Sequence, residues 1–242
     1  MKEQTKNIVM SIAGLLLIIG GVIYYNKKEK TIEPVETNTP VKEENITEEN
    51  TVMTPEPELT EEEVLQNKVN KVNTEELKAQ EAAKKAKWNT AMNNARTAFG
   101  KGEYYQSVAF YNEALSYYNT DTGYFGLFFV YLAQNDIDRA RVAIDASIKL
   151  NPFITEYWVS KLGMLDDKTN VSFLDLKKVY QEGLVKIDVK TKVNLVTFFA
   201  KIAESNKEYE DAIAAWKYAQ ELYPQNSSIY QVEIDHLSKI QS

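Results

Sequence analysis

The chain has no cysteine and a single histidine, His236, and these two shortages exclude more chemistry than any motif adds. Without thiols there is no disulfide, zinc finger, iron–sulfur centre or cysteine nucleophile. One histidine cannot supply a histidine pair or a two-histidine metal site. His236 falls in a C-terminal helical pattern and reads as a solvated helix-end residue. Basic residues are also in deficit, 28 Lys and Arg against 35 Asp and Glu, for a net charge of −7. After residue 31 no basic cluster is denser than Lys84-Lys85-Ala86-Lys87. An acidic surface of this kind repels phosphate backbones, so nucleic acid is not an expected partner.

Motifs for other chemistry are missing as well. Gly100-Lys101-Gly102 falls short of a phosphate-binding loop and reads as a turn between helices. The acid pairs Asp166-Asp167 and Asp136/Asp138 lack the alternating ligands and glycine of a calcium loop. The triplets at Asn45, Asn170 and Asn226 match a glycosylation acceptor, which matters only in a eukaryotic secretory route. No catalytic residue, metal or cofactor is expected, and the chain reads as a non-enzyme.

What is present is unevenly distributed. After a short basic tail, residues 1–7, residues 8–25 form an apolar run of eighteen residues without a charge, flanked by Lys2 and Lys6 before and Lys27, Lys28 and Lys30 after. As a helix it would rise about 27 Å, enough to cross a hydrocarbon core. A cleaved secretory signal shares the basic start and the apolar run. It needs small residues at its end, however, and here the run closes on Val22-Ile23-Tyr24-Tyr25. The reading is therefore a retained transmembrane anchor embedded in the bilayer. The lysine counts on its two sides do not fix its orientation. By similarity to bacterial signal-anchored proteins the soluble part is expected outside the cytoplasm.

Residues 26–59 hold four of the six prolines, Pro34, Pro40, Pro55 and Pro57. Nine glutamates and four lysines lie between Lys27 and Glu58, and the few apolar residues have no helical or strand spacing. Such a stretch cannot bury enough apolar surface to offset its chain entropy, so a disordered acidic linker is expected. At Thr60 the composition changes. Thr60 and Glu63 spell a capping box, which opens a polar lead-in helix over residues 60–87 with a thin stripe of Leu65, Val69 and Val72.

From residue 88 to 242 an internal pattern recurs. Its clearest copy runs Tyr124, Leu127, Tyr131, a turn at Asn135-Asp136, then Ala140, Ile144, Ser147 and Pro152. Another runs Val196, Phe199-Ala200, Ala203, Glu208-Tyr209, Ala212, Trp216, Ala219 and Pro224. The first copy has Ala91, Ala95, Ala98-Phe99, Gly102, Ser107, Tyr111 and Ala114. A weaker copy carries Trp158, Leu162-Gly163, Leu176, Tyr180 and Gly183, with a longer loop from Asp166 to Ser172 in place of the turn. Small residues at matched places let the two helices of a hairpin approach, aromatics fill the space between hairpins, and prolines stop the second helix. The seam so defined includes Ala212 and Ala219 and leaves out Ala214 and Ala215.

These stretches resemble the tetratricopeptide repeat (TPR), with departures at Phe128, where a small residue is usual, and after Tyr118, where the proline is missing. The resemblance implies an all-α solenoid of three to four helical hairpins, closed by a last helix burying Tyr230, Ile234 and Leu237. It implies a binding module for other proteins or peptides, held along the surface lined by the first helix of each hairpin. On that surface it projects Met92, Arg96, Phe99, Phe125, Phe129, Tyr157 and Met164 as candidate partner-binding residues. The family's carboxylate clamp is not supported, because the corresponding places carry Met92, Arg96 and Gly126. Two functions fit: a membrane-anchored scaffold or assembly factor, or a structural protein that self-associates into a homo-oligomer or filament.

Overall fold

A computed structural model describes residues 60–241. The expected transmembrane helix over 8–25 and the linker over 26–59 lie outside the described residues. Among the described residues no helix is long and apolar enough to cross a membrane.

The described chain is helical throughout: α1 (Glu61–Gly100), α2 (Tyr104–Tyr117), α3 (Asp121–Ala133), α4 (Ile137–Leu150), α5 (Thr155–Lys168), α6 (Phe173–Lys186), α7 (Val189–Ser205), α8 (Tyr209–Leu222) and α9 (Ser227–Gln241). A single 3-10 turn, Pro224–Asn226, joins the last two, with the proline opening it as expected. α1 starts where the composition shift placed it, its first turn closed by the Val64 amide donating to the Thr60 carbonyl at 3.0 Å. It then runs without a break through residue 88. The lead-in segment and the first helix of the first hairpin are one rod.

Three hairpins share one turn. Gly102, Asn135 and Lys207 each have a positive φ, of 78°, 56° and 62°. In each, the residue after it donates five residues back: Glu103 to Ala98 at 2.9 Å, Asp136 to Tyr131 at 2.8 Å and Glu208 to Ala203 at 2.8 Å. This is the left-handed cap with paired return bonds that ends many helices. It folds α1 onto α2, α3 onto α4 and α7 onto α8, the closest helix pairs of the fold. At the crossings stand Ala95, Ala140, Ala200 and Ala212, all fully buried. Ser107, at the place equivalent to Ala140 and Ala212, is buried too, and its hydroxyl donates to the Ala95 carbonyl at 2.9 Å.

The third hairpin is built differently. No left-handed residue occurs in its connection; Thr169 and Ser172 are extended instead, and Ser172 caps α6 by accepting from the Asp175 amide at 3.2 Å. α5 and α6 consequently pack less closely than the other pairs, and α5 lies against α7 as well. A Thr155 to Thr191 hydroxyl bond of 2.8 Å ties α5 to α7, and Asn206 reaches Asp166 at 3.0 Å from the far turn. At the end of the stack α9 buries Tyr230, Ile234 and Leu237 against α8, as its spacing requires.

Candidate partner-binding face

The first helices of the first two hairpins, the C-terminal part of α1 and α3, form the candidate face. On α1, Arg96 is exposed and donates to Asn93 Oδ1 at 3.3 Å. It makes no ion pair among the described residues. Beneath it lies the Tyr111 phenol, whose pKa is raised by burial and partly drawn back by the Arg96 charge. Phe99, one turn further on, is half-buried and meets the Tyr104 ring at 5.9 Å.

α3 contributes an aromatic cluster. Phe125 lies parallel to Phe128 at 5.9 Å, edge-on to Phe129 at 4.8 Å and tilted against Tyr157 at 4.6 Å. Phe128 is fully buried, so the position where a small residue is usual is filled by a ring held between its neighbours. Phe125 and Phe129 remain half-buried. Tyr157 crosses from α5 and donates its hydroxyl to Asp121 Oδ2 at 3.0 Å, an oxygen that Asn151 also binds at 3.0 Å. One carboxylate at the start of α3 thus joins the end of α4 to the next hairpin.

Three of the seven projected residues are not available to a partner. Met92, Tyr157 and Met164 are buried, with exposures of 2%, 3% and 3%. Met92 is buried along with Ala91 and Ala95 on α1, which packs on α2 and more lightly on α3. Tyr157 and Met164 are covered because α5 is enclosed by α4, α6 and α7, an arrangement that follows from the opened third hairpin. Arg96, Phe99, Phe125 and Phe129 remain, and they lie on consecutive first helices.

The sequence reading missed a latch between α1 and the end of α2. Tyr118, just past α2, donates to the Glu81 carboxylate, takes Lys84 Nζ over its ring at 4.6 Å and meets Trp88 edge-on at 6.1 Å. The bond to Glu81 pushes the Tyr118 pKa up to about 12. The Glu81, Lys84, Trp88 spacing of three and four was the available signal, since it puts all three on one side of α1.

No protein-family model matches the chain, and no curated protein matches it by sequence. Among solved structures it is similar to PilF of Pseudomonas aeruginosa, with a TM-score of 0.51 at 10% identity, covering 66% of this chain and 71% of that one. The fold is TPR-like. Weaker likenesses are to the MamA protein, with a TM-score of 0.46 at 14% identity over 63% of this chain and 87% of that one. A further one is to the APC/C assembly Cut9–Hcn1, at 0.42 and 17% identity over 62% of this chain and 29% of that one.

Proposed function

We infer that the chain is a protein-binding scaffold held at a membrane by residues 8–25, with the first-helix face of its first two hairpins as the binding surface. The observation that supports this most is that Arg96, Phe99, Phe125 and Phe129 all keep exposed surface on consecutive first helices. They offer one exposed cation without an ion pair among the described residues and three half-buried rings on consecutive first helices of a TPR-like stack. Aromatic rings and arginine carry a disproportionate share of the energy at protein interfaces. Their rigidity also limits the entropy lost on binding, and here the rings already hold one another in place. The ligand class that fits is a peptide segment with an apolar side chain and an acidic group. No chemistry is assigned to the face, and the protein is proposed to act by binding alone. Its binding domain is placed outside the cytoplasm by the same analogy with signal-anchored proteins.

The test uses the full chain in its native membrane. Arg96→Ala and Phe129→Ala are each checked for unchanged helicity and then used to capture crosslinked partners beside the unsubstituted protein. Both should lose the same partners. Capture of every partner by both variants would refute the face. Extraction of the full chain by alkaline carbonate without detergent would refute the anchor separately.

A further inference from the structure

The first and last helices of the described fold carry apolar stripes that the fold leaves uncovered. On α1, Leu65, Val69 and Val72 recur at the three- and four-residue spacing of one face. On α9, Ile229, Val232 and Ile240 share one face at spacings of three and eight, with exposed His236 midway between the last two. Exposures run from 46% at Val69 to 66% at Val232. The α9 stripe is distinct from the face that α9 packs on α8, which is Tyr230, Ile234 and Leu237. A terminal helix of a stack is expected to turn a polar side outward. Here both ends present apolar rows, while α1 packs on α2 and α3 and α9 on α8, with the other hairpins between them.

The charges beside the stripes say what covers them. Lys68 and Lys71 flank the middle of the α1 stripe, with Glu62 and Glu76 toward its ends. Glu233 and Asp235 flank the middle of the α9 stripe, with Lys239 toward its end. Pairing either stripe with itself sets like charges together. Two α1 stripes side by side in parallel would place Glu76 against Glu76 in the seam, and antiparallel they would bring Lys68 to Lys68. Two α9 stripes would crowd Glu233 and Asp235. Pairing α1 with α9, centre on centre, sets lysines against acids in the middle and Lys239 toward a glutamate of α1 in either direction. Rim charges arranged this way select the partner and its register, and the apolar row supplies the contact.

We propose that the α1 stripe of one copy docks on the α9 stripe of a second copy, head to tail. The contact uses different surfaces on the two copies, so chains add head to tail with one of each stripe left free at the ends, and the assembly grows until its rotation closes it into a ring. It leaves Arg96 and the rings of α3 uncovered, so a row would array many binding faces.

The absence of cysteine makes the test clean. Val72→Cys and Val232→Cys are placed singly and together in the full chain in mild detergent, checked for native helicity and exposed to a mild oxidant. Mixing the two single variants should give a crosslinked dimer, and the double variant a ladder. A dimer formed by either single variant alone would overturn the proposal, because it would mean like stripes meet. In the double variant, adding Lys68→Glu with Lys71→Glu should weaken the ladder at least tenfold; an undiminished ladder would overturn the charge match. Sedimentation of the unsubstituted chain should show mass rising with concentration. A constant monomer mass together with no crosslink in any mixture would overturn the assembly itself.

Discussion

The ring of Tyr111 occupies the space where a β-carbon on residue 126 would stand, 2.2 Å from its Cε1 and Cζ atoms. Tyr111 fills the gap between the first and second hairpins, and α3 can come this close only because Gly126 has no side chain. The ring is buried, so it cannot give way by swinging into water. Gly126→Ala should therefore push α3 away from α2 and destabilise the protein by about 1–3 kcal/mol, despite the gain in helix propensity. Urea midpoints of the two proteins measure it. An unchanged midpoint would mean that the junction yields.

The shared turn predicts substitutions of opposite sign. Lys207 holds a φ of 62° that costs a side-chain-bearing residue energy and glycine almost none. Lys207→Gly should stabilise by about 0.5–1 kcal/mol, the gain being reduced by glycine's freedom in the unfolded chain. Gly102 has a φ of 78° and nothing within 4 Å of the place a β-carbon would take. Gly102→Ala should destabilise by about 1 kcal/mol through backbone strain alone. A melting temperature that moved the same way in both variants would contradict this.

Local signals made most of the architecture legible. Ala140, Ala212, Ser107 and the turn residues sit at fixed offsets, because close helix crossings tolerate only small side chains there and a left-handed turn only a few residue types. The third hairpin shows where that legibility ends. Its loop could be read, but not that a hairpin without the left-handed turn would open and let α5 settle against α7. That consequence depends on the neighbouring hairpin, and it buried Tyr157 and Met164. The candidate face was half legible for a related reason. A helical period puts Met92 near Arg96 and Phe99, but which side of α1 is roofed by both α2 and α3 is decided by packing from a distance.

Three buried phenols make the fold sensitive to alkali. Burial raises the pKa of Tyr111, Tyr157 and Tyr180 above the ordinary 10.0, with the Asp121 charge adding to the rise at Tyr157. Each holds its proton more tightly when folded than when unfolded. The stabilisation is therefore complete below about pH 10 and is lost as pH climbs through the raised folded values. Denaturant midpoints should fall steeply above about pH 10. Tyr157→Phe removes one titrating group and the hydrogen bond to Asp121, so it should lower stability at pH 8 and flatten the alkaline fall. An alkaline slope as steep as in the unsubstituted protein would exclude a role for Tyr157.

Neighbouring alanines of α8 test how closely the last hairpin is packed. Ala212 has an exposure of 0% and occupies the crossing place matched by Ala140 in α4. Ala214 is exposed. Ala215, which the seam's spacing left out, is buried at 4%, because α8 is covered on a second side by α9. Three leucine substitutions should therefore differ in a set order. Ala214→Leu faces water and should stay within about 0.5 kcal/mol of the unsubstituted protein. Ala212→Leu forces three extra carbons between α7 and α8, where Ala200 is also fully buried, and should cost about 1–3 kcal/mol. Ala215→Leu should also destabilise, but by less, since α9 is the last helix of the stack and can shift outward where α7 cannot. Hydrogen exchange separates the two sites: Ala215→Leu should speed exchange mainly in α9, and Ala212→Leu in both α7 and α8. Equal melting temperatures for Ala212→Leu and Ala214→Leu would show that the crossing is looser than the burial of Ala200 and Ala212 requires.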